Sequence, residues 1–171
     1  MLDIAIDADA EWDSSSWDRL VREAAEAAIA ESAFPQLTTG SRPVELSIRL
    51  TSDSEVQALN STWRGKDKPT NVLSFPQLKP DELGDIPTDG PTDGPDLMLG
   101  DIVLAYGVCA REAEEKAMAL EHHAAHLVVH ATLHLLGYDH GDDGQAKAME
   151  QREVRALTRL GIADPYAASE R

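Results

Sequence analysis

Four segments of the chain carry apolar patterns that are typical of β-strands. Apolar residues alternate with polar or small ones at the start of the chain and again from Val44 to Leu50, so that each segment has one apolar face. Two further apolar runs lie between turn-forming residues, and Gly100 interrupts the second of them. We therefore predict strands over about residues 2–6, 44–50, 72–75 and 97–105.

Five other segments have helical character, and in the first two the apolar residues recur every three or four positions. Ser52 and Glu55 predict a capping box at the start of one helix, and Gly65 marks its end. Asp142 and Asp143 stand at the start of another, where the helix dipole favours acidic residues. The predicted helices cover about residues 17–32, 53–64, 106–118, 120–136 and 142–160.

These elements predict an α/β (α+β) fold in which a small mixed four-stranded sheet packs with about five helices. A chain of 171 residues can bury a core of its own, so we predict a single domain over 1–171. Residues 77–97 contain a tandem Pro-Thr-Asp-Gly repeat of turn-forming and acidic residues. Such a segment cannot bury much apolar surface, and we predict a mobile surface loop, with a lid as the alternative.

Composition restricts the function further. The formal net charge of −16 favours solubility and disfavours non-specific binding to nucleic acids. The single cysteine, Cys109, excludes an intramolecular disulfide, and its apolar surroundings predict a buried thiol rather than a reactive one. The chain shows neither a signal peptide nor an apolar stretch of membrane-spanning length, so we predict a cytoplasmic protein without a membrane partner.

Five of the six histidines lie between His122 and His134, along the predicted helix 120–136, and the sixth, His140, follows it. His130 and His134 stand four residues apart and therefore project from one helix face, while Gly137 allows a turn that brings His140 back towards them. Three neutral imidazoles with room for water make an open catalytic zinc site. Spacing alone leaves another pair open, because His126 and His130 are also four apart.

The spacing of these three histidines matches the extended zinc-peptidase motif, in which a glutamate follows the first histidine and acts as general base. This chain has Ala131 at that position. A methyl group cannot accept a proton from water, so the ligand pattern remains while the peptidase chemistry is lost. The alternative is that the histidines are ordinary packing residues of a helix.

A second cluster follows the helix 53–64, where Arg64, Lys66 and Lys68 form the densest basic run of an acidic chain. A guanidinium can bind a phosphate through two hydrogen bonds and stabilise the charge that develops during phosphoryl transfer. Taken alone, the run also fits an ordinary solvated turn.

The two clusters together resemble the YbeY family of metal-dependent bacterial endoribonucleases. The family signature, close to His-Gly-x-Leu-His-Leu-x-Gly-Tyr-Asp-His, is matched at 130–140, and its Leu-Gly-Asp-Ile strand at 99–102. Its Pro-Thr-Asp-Val-Leu-Ser-Phe-Pro segment is matched at 69–76, and its Asn-x-x-Arg helix end only loosely at 60–64. Two residues depart from the pattern, Ala131 in place of glycine and Asn71 in place of aspartate.

The resemblance implies one zinc ion on His130, His134 and His140, with Arg64 as a catalytic residue that also contacts the phosphate. It implies cleavage of single-stranded RNA, in maturation of the 3′ end of small-subunit ribosomal RNA and in ribosome quality control. We expect Lys66 and Lys68 to steer the RNA backbone. The general base is unassigned, and Asp139 is expected to orient an imidazole rather than to move a proton.

Two other functions stay open at this point. A site of three histidines does not name its substrate, so the protein is alternatively a metal-dependent hydrolase of another compound. It is otherwise a non-catalytic ribosome-assembly factor that zinc stabilises. The acidic charge predicts weak, salt-dependent RNA binding, or delivery to RNA by a ribosomal protein of the small subunit.

Overall fold

A mixed four-stranded sheet forms the centre of the protein in a computed structural model, which describes residues 2–12, 15–39, 43–78, 97–139 and 141–166. The strand order is β1-β2-β4-β3, in which β1, β2 and β4 run parallel and β3 pairs antiparallel with β4. The strands are β1 (Leu2–Ala8), β2 (Val44–Thr51), β3 (Val72–Pro76) and β4 (Leu97–Ala105). The predicted sheet is confirmed, whereas most of the predicted loop at 77–97 lies outside the described residues.

Six helices surround this sheet in the part of the chain that the structure describes. The five predicted helices are confirmed, and the additional one is a single short turn of four residues. They are α1 (Ser15–Ala30), α2 (Gln36–Thr39), α3 (Asp53–Arg64), α4 (Tyr106–Glu115), α5 (Leu120–Leu135) and α6 (Asp143–Arg159). A turn of 3₁₀ helix at Ala10–Trp12 follows β1. None of the described helices has the length and apolar character of a membrane span.

The two faces of the sheet carry different helices. Ile102 and Leu104 of β4 belong to the main core, which includes buried residues of α1, α5 and α6. Val103 and Ala105 alternate with these residues along β4, point to the other face and pack with Val56 of α3. Because side chains alternate along a strand, α5 and α3 lie on opposite sides of β4.

The histidine-bearing helix α5 is largely buried, with ten of its sixteen residues inside the protein. It packs against α1, α4 and α6 as well as against β3 and β4. Ala131, which stands where the related motif has glycine, is one of the core residues, so its methyl group contributes to packing. The position of the histidines is therefore determined by a rigid element.

Gly100 allows the last turn of α5 to approach the sheet. Its φ of +149° is one that other residues rarely adopt, and a Cβ atom there would lie 2.4 Å from the carbonyl oxygen of Phe75 and 2.9 Å from Leu135 Cδ2. A larger residue would have to separate β3 and α5 from β4. The Leu-Gly-Asp-Ile segment thus sets the distance between α5 and the sheet.

The capping box predicted for α3 forms only in part. The hydroxyl of Ser52 accepts a hydrogen bond from the backbone N–H of Glu55 at 3.3 Å, as expected. The Glu55 carboxylate, however, binds the guanidinium of Arg49 through two bonds of 2.7 and 2.8 Å. A charge-assisted bidentate pair is stronger than the bond to a cap N–H, which explains the difference.

Candidate metal centre and basic segment

His130 and His134 occupy the last two turns of α5, the first half-buried and the second exposed. Four residues along a helix place both rings on one face, and this face borders α6. The histidines of the motif are thus presented from a buried helix at the protein surface. A metal ligand held by such an element loses little conformational entropy when the ion binds.

A buried carboxylate lies behind the first of these rings. Glu153 of α6 is completely buried, and its Oε1 lies 3.4 Å from His130 Nδ1 and 2.7 Å from His126 Nε2. The hydroxyl of Tyr166 donates to the same oxygen at 2.8 Å. One carboxylate oxygen therefore joins α5, α6 and the segment that follows α6.

Glu153 is ionised despite its burial. Burial by itself raises the pKa of the carboxyl, but hydrogen bonds from His126 and His130 lower the pKa to about 2. Since an ionised carboxylate can only accept, the nitrogens that face it carry protons. A neutral imidazole with its proton on Nδ1 presents its lone pair at Nε2, and this is the tautomer that the contact imposes on His130.

The second ring has an equivalent partner in the turn after α5. His134 Nδ1 lies 3.3 Å from the carbonyl oxygen of Tyr138, which can only accept. Gly137, with a φ of +96°, turns the chain so that this carbonyl faces the helix end. Tyr138 is itself fixed, because its hydroxyl accepts from the N–H of Ala33 at 2.9 Å. Both rings are therefore oriented through Nδ1.

The remaining histidines of α5 have other surroundings. His126 directs Nε2 to Glu153, so this nitrogen carries the proton and offers no lone pair to an ion. His123 is buried against Glu112, at 2.9 Å, and burial lowers its pKa. His122 is exposed at the first turn of the helix. Of the two helical pairs that spacing left open, this arrangement favours His130 with His134.

The third predicted ligand, His140, lies outside the described residues. Within those residues, no group of three or more histidine, cysteine, aspartate or glutamate side chains is arranged to hold a metal ion. The two described imidazoles nevertheless suit zinc chemically, because each has an acceptor at Nδ1 that leaves Nε2 as the ligating nitrogen. Assignment of the three-histidine site stays a prediction.

The basic segment begins where α3 ends. Arg64 is the last residue of the helix, and Gly65 adopts the left-handed conformation with a φ of +69°. The buried side chain of Asn60 holds the following loop, since its amide donates to the carbonyl oxygen of Lys68 at 2.9 Å. The side chains of Arg64, Lys66 and Lys68 are exposed. The asparagine of the motif thus shapes the loop that carries the basic residues.

The histidines and the basic segment lie on helices that cover opposite faces of the sheet. Both α3 and α5 pack against β3, which is an edge strand. The basic segment leads directly into β3, which begins at Val72. The helices that carry the two predicted clusters thus share contact with one edge strand of the sheet.

Sequence reasoning missed the polar partners of the histidines. Glu153 and Tyr166 lie 23 and 36 residues after His130, and no local spacing connects them with it. It also missed that the amide of Asn71 donates to Glu112 Oε1 at 3.0 Å. The same oxygen contacts His123, so Asn71 belongs to a small, partly buried network in the position where the motif has aspartate.

Comparison with known proteins gives consistent results along the chain. The family model described as "Endoribonuclease YbeY" matches residues 4–161. Proteins named endoribonuclease YbeY from Rhizorhabdus wittichii and Sphingopyxis alaskensis are 50% and 51% identical over 171 and 168 residues, covering 99% and 98% of each chain. The solution structure of TM1509 from Thermotoga maritima has a similar fold, with a TM-score of 0.56 at 22% identity, over 93% of this chain and 92% of that one.

Proposed function

Because this chain belongs to the endoribonuclease YbeY family, and is thereby a hydrolase of RNA, we propose that it cleaves single-stranded RNA at a zinc ion held by His130, His134 and His140. We propose further that it acts in the cytoplasm on the 3′ end of small-subunit ribosomal RNA, with one zinc ion per chain.

The contact that supports this proposal most directly is the one between His130 Nδ1 and the buried carboxylate of Glu153. Histidines that ligate catalytic metals commonly donate their other N–H to a carboxylate or a backbone carbonyl. His134 has the carbonyl version of this arrangement through Tyr138. A helix whose histidines only packed the core would not need both partners on the Nδ1 side.

In the proposed mechanism, Arg64 binds two oxygens of the scissile phosphate and stabilises the negative charge that develops on it. Lys66 and Lys68 attract the flanking phosphates, which matters because the protein as a whole is acidic. Glu153 keeps the proton on His130 Nδ1. Zinc, when bound, supplies Lewis acidity and lowers the pKa of water from about 15.7 towards 7.

The charge distribution also supports a protein partner. With a net charge of −16, most of the surface repels RNA, so productive encounters depend on the short basic segment. A basic ribosomal protein of the small subunit could bind the acidic faces and bring the enzyme to its substrate. We propose such a partner on charge alone.

The test is cleavage of a labelled single-stranded RNA by the zinc-loaded protein, next to the variants His134→Ala and Arg64→Ala, with zinc content measured for each. We expect wild type to cleave, His134→Ala to lose both zinc and activity, and Arg64→Ala to lose activity while keeping zinc. His122→Ala removes an exposed histidine from the other end of the same helix and is the matched control. It should behave as wild type.

Equal cleavage by all four proteins would identify a contaminating nuclease and contradict the proposal. Zinc binding without cleavage by any of them would favour the non-catalytic assembly factor. Loss of zinc in His134→Ala together with a collapse of thermal stability would likewise point to a structural metal.

A further inference from the structure

A large aromatic side chain is left in solvent beside the basic segment. Trp63 is 69% exposed. Among the described residues, Met98 is the other large hydrophobic side chain that is exposed to solvent. Trp63 directly precedes Arg64 in the last turn of α3. A single exposed apolar residue needs no explanation, but one that forms the wall of a groove beside basic residues suggests a binding function.

The groove lies between α3 and the sheet, on the face opposite α5. It encloses about 380 Å³, which falls in the range of small-ligand sites. Trp63 and Phe75 both line it and contact each other edge to face, with ring centroids 6.5 Å apart and an angle of 63° between the rings. Its lining includes Ser47, Leu59, Trp63, Phe75, Gln77 and Asp101.

The polar groups of the groove suit the edge of a nucleobase. Gln77 and Asp101 stand side by side, with 3.4 Å between Gln77 Nε2 and Asp101 Oδ2, and Ser47 adds a hydroxyl. An amide, a carboxylate and a hydroxyl offer both donors and acceptors to the polar edge of a base. The aromatic wall formed by Trp63 offers a surface on which any base can stack.

The charges of the groove argue against a phosphate in the same place. Arg49 lines it, but its guanidinium is bound by both oxygens of Glu55 and also contacts Asp7 and Asp9. Asp101 adds a further carboxylate. An anion would therefore be repelled inside the groove, whereas the exposed cations begin one residue after Trp63.

We propose that this groove binds one unpaired nucleobase of the RNA strand, which stacks on Trp63 while Lys66 and Lys68 hold the adjoining phosphates. The inference rests on the proposed ribonuclease function, since it takes RNA to be the substrate. It adds a base-binding subsite on the opposite side of the β3 edge from the histidines. A base in a duplex is paired and stacked and cannot enter, so the subsite gives a physical reason for a preference for single strands.

Binding is measured with the full-length protein freed of metal, so that RNA is not cleaved during titration. The probes are a single-stranded RNA oligonucleotide, a sugar–phosphate strand of the same length that lacks all bases, and the corresponding duplex. Trp12 and Trp17 are buried, 1% and 7% exposed, so quenching of tryptophan fluorescence by RNA reports on Trp63. Affinity is followed independently through a fluorophore on the RNA.

We expect Trp63→Ala to weaken binding of the intact single strand about 5- to 150-fold, the range for loss of one stacked base. Trp63→Phe should retain most of the affinity while abolishing the quenching. The strand without bases should bind wild type and Trp63→Ala equally. Met98→Ala removes the other exposed hydrophobic side chain and should bind as wild type.

Equal affinity of wild type and Trp63→Ala for the intact strand would overturn the inference. So would a loss of the same size with the strand that lacks bases, since that would show a role independent of stacking. If wild type cleaves RNA when loaded with zinc but Trp63→Ala binds normally, the subsite alone is wrong. If wild type neither binds nor cleaves single-stranded RNA, the proposed function fails with it.

Discussion

The buried carboxylate of Glu153 offers the sharpest test of how this protein holds its histidines. Its Oε1 receives contacts of 2.7 Å from His126, 2.8 Å from Tyr166 and 3.4 Å from His130, and the residue has no exposed surface. Glu153→Ala leaves these partly buried groups without their acceptor. Each donor left without its acceptor costs about 1–3 kcal/mol, so we expect a large drop in the urea midpoint of unfolding.

Glu153→Gln separates the shape of the side chain from its charge. The amide can still accept at one oxygen, but it no longer requires the proton of His130 to stay on Nδ1. Loss of such a partner typically reduces metal affinity 10- to 100-fold, which is about 1.4–2.7 kcal/mol of binding free energy. The loss of stability should be smaller than for alanine, because the amide oxygen of glutamine still accepts a hydrogen bond from the donors around it.

Zinc affinity is measured by competition with a chromogenic chelator, and stability by urea unfolding of the metal-free protein. Glu150→Gln removes the same charge from the same helix three residues earlier and is the matched control. If Glu153→Gln and Glu150→Gln bind zinc equally well, Glu153 does not orient a metal ligand. If Glu153→Ala is as stable as wild type, the hydrogen-bonded cluster contributes nothing to folding.

Groups other than the predicted metal ligands and their partners lead to three further predictions. The amide nitrogen of Asn71 lies 3.0 Å from Glu112 Oε1, so Asn71→Asp would place a second carboxylate against Glu112. We expect this to destabilise the fold by about 1–2 kcal/mol. Because like charge raises the pKa of the introduced group, the loss should grow from pH 5 to pH 8 in thermal melts; an equal loss at both would contradict this. Hydrogen bonds from Arg49 and Thr51 lower the pKa of Glu55 to about 2, so the folded state binds fewer protons than the unfolded one, and stability should fall from about pH 5 towards pH 2. Glu55→Gln should flatten that decline in pH-dependent urea unfolding, and an unchanged slope would refute the assignment. Burial raises the pKa of the Cys109 thiol to about 12, so a thiol reagent at pH 8 should label the native protein only as fast as it unfolds; rapid labelling would disprove this.

Local sequence patterns predicted most strands and helices of the fold, because these elements have an apolar and a polar face. The strand predicted at 97–105 is confirmed, but its expected interruption at Gly100 is instead a shift in pairing. Opposite it, the register with β2 changes between Glu45 and Leu46, and β4 itself continues to Ala105. The alternation of apolar and polar residues cannot distinguish the end of a strand from a β-bulge, since both interrupt the alternation in the sequence.

Non-local pairing explains the elements that sequence reasoning described incompletely. The Glu55 side chain was expected to close a capping box within α3, but a guanidinium from β2 binds it instead. The short helix α2 lies between Pro35 and Gly40, which predict a loop, and its Leu37 is buried in a small separate cluster. In both cases a contact from elsewhere in the chain overrides the local preference.

The predicted metal centre shows the same division between local and long-range information. Helical spacing brings His130 and His134 to one face, and the family resemblance that this motif suggested is confirmed over the length of the chain. Spacing could not separate this pair from His126 and His130, because a ladder of histidines four residues apart is uniform along the helix. In the sequence, the Gly137 turn and His140 favoured the pair His130 and His134, and the carboxylate of Glu153, contributed by a different helix, adds a structural difference between the histidines. It faces Nε2 of one ring and Nδ1 of the next, and so turns one histidine into a structural donor and leaves the other able to ligate through Nε2.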